Sequence, residues 1–267
     1  MGPSVRCPMK CARTELFETH SASLLKRTAF MATQNPTPAL ASADGASTLT
    51  MRVSPSNTAL VFTDPQIEVL SERGAAWQLV RDSILENNTI DNMEKLFKAA
   101  KMGSYHVFVS PHYYYPTDNG WLFRDSLGQE MHDGHMFERR SITDTTGLAG
   151  STSDWLPRFK PYIDDGKTVV VAPHKLYGPQ TNDLVLQLRK RGIQKVIVAG
   201  MLANMCVEAH ARELMEQGFE LIIVRDAVAG PRHPAWGDGY AAAAINYRYL
   251  SKHVPTADEM VEAMAAC

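Results

Sequence analysis

Cysteine is scarce in this chain of 267 residues: Cys7, Cys11, Cys206 and Cys267 are the only four. Two lie near the start and one is the last residue, a poor framework for stapling a secreted domain. A reducing, cytoplasmic setting is therefore expected. No apolar run approaches the roughly 20 residues that cross a bilayer, so no membrane partner is expected. A surplus of either charge is also lacking, with 27 Lys and Arg against 29 Asp and Glu. That balance gives no footprint for nucleic acid or an anionic membrane.

Periodicity is missing as well from residues 1–55, which are rich in Pro, Ser, Thr and Ala, and the reading is a mostly disordered extension. Glu15, Glu18 and the absence of an apolar h-region argue against a secretory signal. Organelle targeting stays open, and Met31 is an alternative start. Residues 56–267 read as one domain, a size that buries a substantial core.

In that domain short apolar runs alternate with helical stretches. ALVFT (59–63), YHVFVS (105–110), TVVVA (168–172), KVIVA (195–199) and ELIIV (220–224) read as parallel strands covered on both faces. Ile90, Met93, Leu96, Phe97 and Ala100 share a helical face. NDLVLQLRKRG, with Leu184, Leu186 and Leu188, gives a helix stopped by Gly192, and AHARELMEQG gives one stopped by Gly218. DGYAAAAINYRYL (238–250) supplies another, and TADE (256–259) is a capping box opening the last. The alternation predicts an α/β fold: a three-layer, doubly wound parallel sheet with right-handed crossovers, Rossmann-like in outline. Residues 112–165, rich in aromatics and turn formers, are too long for a plain connection and read as a lid-like insertion over the site.

In such sheets the site lies beyond the carboxyl ends of the strands. Those ends carry Asp64, Ser110-Pro111-His112, His174-Lys175, Gly200 to Cys206, and Asp226. A thiol becomes a useful nucleophile when its pKa is lowered or a base takes its proton. The first turn of a helix favours thiolate, and its free N–H groups can hold an oxyanion. Asp64 is the residue type that accepts a thiol proton, and Lys175 one that orients a carboxylate. Each also has a plainer role: Cys206 as a small core residue, Asp64 as a helix cap, Lys175 as a solvated cation.

TDPQ around Asp64, HK at 174–175 followed by YGPQTNDL, and GMLANMCVEAHAREL together resemble the isochorismatase-like cysteine hydrolases over residues 56–265. The resemblance implies an Asp64–Lys175–Cys206 triad, a cis peptide at Met201-Leu202, and an oxyanion hole from the backbone N–H groups of Leu202 and Cys206. Nicotinamidases of that family carry a metal-binding Asp-x-His after the second strand. Here Ser110-Pro111-His112 stands instead, with His132 and His135 nearby, so neither a catalytic metal nor any other cofactor is expected. A family thiol favours cleavage of a C–N bond in a small amide, carbamoyl or ureido compound through a thioester. The alternatives are isochorismatase-type hydrolysis of an enol ether with Asp64 as acid, and a non-catalytic, redox-sensing thiol. Gln66, Tyr113, Trp121, Phe123, Trp155, Tyr177, Asn204 and His233 are candidate walls of the substrate pocket, each equally at home in ordinary packing. The expected partners are a small-molecule substrate and, by family analogy, further copies of the chain in a dimer or tetramer.

Overall fold

Alternation of side chains along the strands builds the fold. A computed structural model describes residues 51–266. The segment 1–50, with Cys7 and Cys11, and the terminal Cys267 lie outside the described residues. The five apolar runs form β1 (Thr58–Thr63), β2 (His106–Ser110), β3 (Val169–Val170), β4 (Lys195–Met201) and β5 (Glu220–Ala229). They pair in the order β3-β2-β1-β4-β5, every pair parallel.

With a period of two, Leu60 and Phe62 face one core while Ala59 and Val61 face the other. The first core is closed by the helices Trp77–Asn87, Thr89–Met102 and Ala257–Ala265. The second is closed by Leu184–Lys190, Glu208–Glu216 and Gly239–Leu250. The result is the three-layer α/β/α sheet that the alternation predicts. Thr256 and Glu259 form the reciprocal capping box of the last helix. No helix among the described residues is long and apolar enough to cross a membrane.

Three local readings are refined by the folded chain. TVVVA yields only two residues of named strand, Val169 and Val170, at one edge of the sheet with Val170 half exposed. Just beyond it the Ala172 N–H is taken by the Asp183 carboxylate and Pro173 has no N–H to give. Leu186 does not share the face of Leu184 and Leu188; it is exposed, as a residue two positions along a helix must be. The folded body also begins before residue 56, since Val53 is buried in the first core and Thr58 N donates to Ser54 O.

The sheet order reverses between β1 and β4, where Thr63 is in register with Gly200. This is the crevice at which doubly wound sheets hold ligands. It brings the residue after β1 beside the turn that follows β4.

Candidate active site

Asp64 follows β1 directly, in a left-handed conformation (φ 47°) that Asp tolerates better than most residues. Its backbone N–H donates to Ser110 O, and the residue is 2 % exposed. Oδ1 accepts from His174 Nε2 at 2.8 Å. His174 reaches it because His112 and His174 pair as a parallel bridge, prolonging the β2–β3 ladder beyond its named strands. Extended backbone sends successive side chains to opposite sides. Lys175 therefore turns away: Nζ donates to Tyr113 O at 2.9 Å and Asp118 Oδ2 at 2.6 Å, and lies over the Tyr115 ring. The expectation that Lys175 stands against Asp64 is corrected; that place belongs to the preceding imidazole.

The turn after β4 begins at Gly200, with φ 120°. A Cβ there would stand 2.2 Å from Thr63 O, so only glycine lets β4 lie this close to β1. The peptide between Met201 and Leu202 is cis. Thr63 Oγ1 donates to Met201 O at 2.9 Å, fastening the turn to β1. Ala203–Val207 is one π-helical turn leading into the helix Glu208–Glu216, and Tyr247 Oη donates to Ala203 O from behind. Single π turns of this kind recur at functional sites.

Cys206 is buried and carries a free thiol. Its Sγ donates to Leu176 O at 3.8 Å and lies within 4.8 Å of the Asp64 carboxylate, with the backbone amides of Leu202 and Cys206 close enough to act on its charge. Burial pushes the thiol well above its ordinary pKa and the Asp64 charge adds to this, with the two amides pulling the other way. The expectation of a thiol made acidic by a helix terminus is thus reversed. Desolvation beside a carboxylate outweighs the amides, and at rest the sulfur keeps its proton.

A third histidine supports the turn from below. His210 Nδ1 donates to Cys206 O at 2.7 Å. A carbonyl only accepts, so in the neutral ring Nε2 is the acceptor, and it receives Ser110 Oγ–H at 2.8 Å. Asn182 Nδ2 donates to the same hydroxyl. Burial, then repulsion from His174, pulls His210 down to about 3. Position 206+4 on a helix was the available signal for His210; for His174 it was the period of two that separates it from Lys175.

The other sequence-derived candidates divide into wall and frame. A cavity of about 570 Å³ is lined chiefly by residues of the 112–165 segment, among them Trp121 and Phe123, with Leu176 closing it on the side of the thiol. Gln66, Tyr113, Trp155, Tyr177, Asn204 and His233 are not among its walls. Gln66 is fully buried, accepting from His112 N and donating to His112 O and Ser153 O, a clamp between strand ends and insertion. Tyr113 is buried against Trp155 and Arg139. Burial, the Asp125 charge and the nearby Cys206 raise the Tyr177 phenol. Asn204 crowds Gly239 at the start of the helix Gly239–Leu250, and His233 stacks on Trp236. His132 and His135 pair with Asp133 and Glu138 toward solvent, apart from His112. Among the described residues the cluster able to hold a metal is instead Asp64, His112, His174 and Cys206.

A sequence profile of the isochorismatase domain matches residues 58–252. The chain belongs to the isochorismatase domain family. The curated relatives are matched over only 24% to 50% of their own length. One, the probable hydrolase YcaC of Escherichia coli K12, is 26% identical over 104 residues, 38% of this chain and 50% of that protein. Among solved structures, a cysteine hydrolase from Pseudomonas syringae pv. phaseolicola 1448A superposes with a TM-score of 0.64 at 19% identity, covering 80% of this chain and 95% of that one. N-carbamoylsarcosine amidase from Thermoplasma acidophilum gives 0.51 at 19% identity, covering 76% and 97%. At these identities the family member shares a fold with both, and its chemistry has to be argued from its own residues.

Proposed function

We propose that this isochorismatase-family hydrolase cleaves a C–N bond in a small amide, carbamoyl or ureido compound, with Cys206 as nucleophile and Asp64 as its base. The observation that carries the reading is the position of the Asp64 carboxylate: it lies within 4.8 Å of the Cys206 thiol and is held by His174 Nε2 at 2.8 Å. Asp64 takes the thiol proton as sulfur attacks the carbonyl carbon. The oxyanion that forms is held by the N–H groups of Leu202 and Cys206, a reading supported by the pull these two amides exert on the neighbouring sulfur. Collapse of this intermediate expels the amine, which leaves with the proton from Asp64, and a thioester remains. Asp64 then takes a proton from water as the water attacks the thioester. The thiolate leaves and recovers that proton.

His174 fills the role that the resemblance gives to a lysine, fixing the carboxylate by a directed hydrogen bond instead of a flexible ammonium. A thiol that is protonated at rest suits this order of events, because its proton is given up only when a carbonyl arrives. Such general-base assistance contributes about 10²–10⁴ in rate. The cytoplasmic setting and the dimer or tetramer remain part of the proposal, resting on cysteine usage and family analogy respectively. The test is intact-mass detection of an acyl adduct on Cys206 across a panel of small amides and ureides. Turnover with no adduct on Cys206, and with full activity in Cys206→Ala, would overturn the covalent reading.

A further inference from the structure

Asp64, His112, His174 and Cys206 each offer one ligand atom, and the four atoms lie within 4.8 Å of one another. All four residues are more than nine-tenths buried. His174 Nδ1 has no hydrogen-bond partner among the described residues, and His112 Nε2 makes no well-formed hydrogen bond, the Lys175 backbone being the polar group that approaches this ring. Buried polar atoms without partners are uncommon and costly, so they call for an explanation. His112 is otherwise firmly placed, stacked on Phe137 with ring centroids 4.5 Å apart. It contributes nothing to the proposed hydrolysis.

We infer that these four side chains take a zinc ion, and that the ion is a reversible inhibitor and not a cofactor. The donor set, two imidazole nitrogens with one sulfur and one carboxylate oxygen, is one that Zn²⁺ favours; Mg²⁺ and Ca²⁺ select oxygen alone. Four tetrahedral bonds of about 2.0–2.3 Å place ligand atoms roughly 3.3–3.8 Å apart, so the widest pair closes by about an ångström while the metal replaces the 2.8 Å hydrogen bond between His174 and Asp64. The site differs from the Asp-x-His arrangement described for nicotinamidases: position 110 is a serine bonded to His210, and the carboxylate comes from Asp64. Binding exchanges the thiol proton for the metal and releases that proton to solvent. The bound ion occupies both the sulfur and the carboxylate. That it inhibits rests on the hydrolytic reading above; that it binds does not.

The experiment uses the full chain carrying Cys7→Ser, Cys11→Ser and Cys267→Ser, which removes competing thiols, stripped of metal and titrated with Co²⁺. A near-ultraviolet thiolate-to-cobalt band with tetrahedral visible bands, saturating at one equivalent and erased by Zn²⁺, is expected. In the unmodified chain Zn²⁺ should slow alkylation of Cys206 by iodoacetamide, followed on its own peptide, by about tenfold or more. His112→Asn should weaken zinc binding by about tenfold or more. A cobalt spectrum without the thiolate band, or alkylation of Cys206 indifferent to zinc, overturns the inference whether or not the variant folds. An acyl adduct that forms unhindered under zinc would sink the metal site and leave the hydrolase. A thiolate–cobalt band without any acyl adduct would do the reverse.

Discussion

His174 Nε2 stands 2.8 Å from Asp64 Oδ1, and the ammonium of the very next residue is bound instead to Asp118. One step along an extended backbone decides which cation-forming side chain orients the carboxylate. His174→Ala should therefore slow acylation of Cys206 by about 10²–10⁴. Lys175→Ala removes a partly buried ion pair that ties Lys175 to Asp118 of the insertion and leaves the hydrogen bond between His174 and Asp64 in place, so a smaller loss is expected. Adduct formation followed by mass over time compares the two; an equal loss in both variants contradicts the assignment.

Cys206→Ala should abolish the thioester while the fold is retained, since the substitution removes one sulfur beside a turn held by Thr63, Tyr247 and His210. Isochorismate is the informative second substrate. Its cleavage by Cys206→Ala at the unmodified chain's rate would favour Asp64 acting as acid on an enol ether.

The buried histidines make stability depend on pH with a definite sign. Unfolded histidine takes up a proton near 6.5, whereas folded His210 resists down to about 3. His112 also lies well below its ordinary range, through burial and then the repulsion of His174. Between those limits the unfolded chain binds more protons, so stability falls as pH falls, by up to about 1.4 kcal/mol per pH unit for each such histidine. Urea unfolding from pH 7 down to 4 measures the slope, and His210→Asn should flatten it.

The thiol gives the opposite limb. Its folded pKa is raised well above 9.0, so above the ordinary thiol range the unfolded chain has lost a proton that the folded one keeps. Stability is therefore lost as pH rises through that range. Peptide-resolved alkylation of Cys206 should still be rising at a pH where a free thiol has levelled off.

Gly200→Ala should prevent correct folding, because its Cβ would meet the backbone of Thr63 at 2.2 Å, and no side-chain rotation relieves a backbone clash. A loss of several kcal/mol is expected from this strain. Soluble expression and thermal unfolding test it, with Gly147→Ala as the comparison, where a Cβ meets nothing within 4 Å.

The strand runs, the glycines that stop helices, the capping box at Thr256, and the strand ends bearing Asp64 and Cys206 are all legible in the residues, because each rests on local periodicity or turn chemistry. TVVVA did not reveal that its strand would be an edge, since pairing on one side only is a property of the sheet order. The glycine turn before Cys206 is local; the burial that raises its thiol is not, because that depends on what packs over the turn from elsewhere in the chain. HK at 174–175 offers two basic side chains to Asp64, and only the register of His174 against His112 selects the imidazole. His210 and Ser110 meet across 100 residues, and His112 comes to the thiol through the β1–β2 and β1–β4 ladders. By itself the sequence determined the layers, the end of the sheet that works, and the thiol. Tertiary structure alone decided which side chains surround that thiol, because alternation along neighbouring strands becomes a set of contacts only when their register is set.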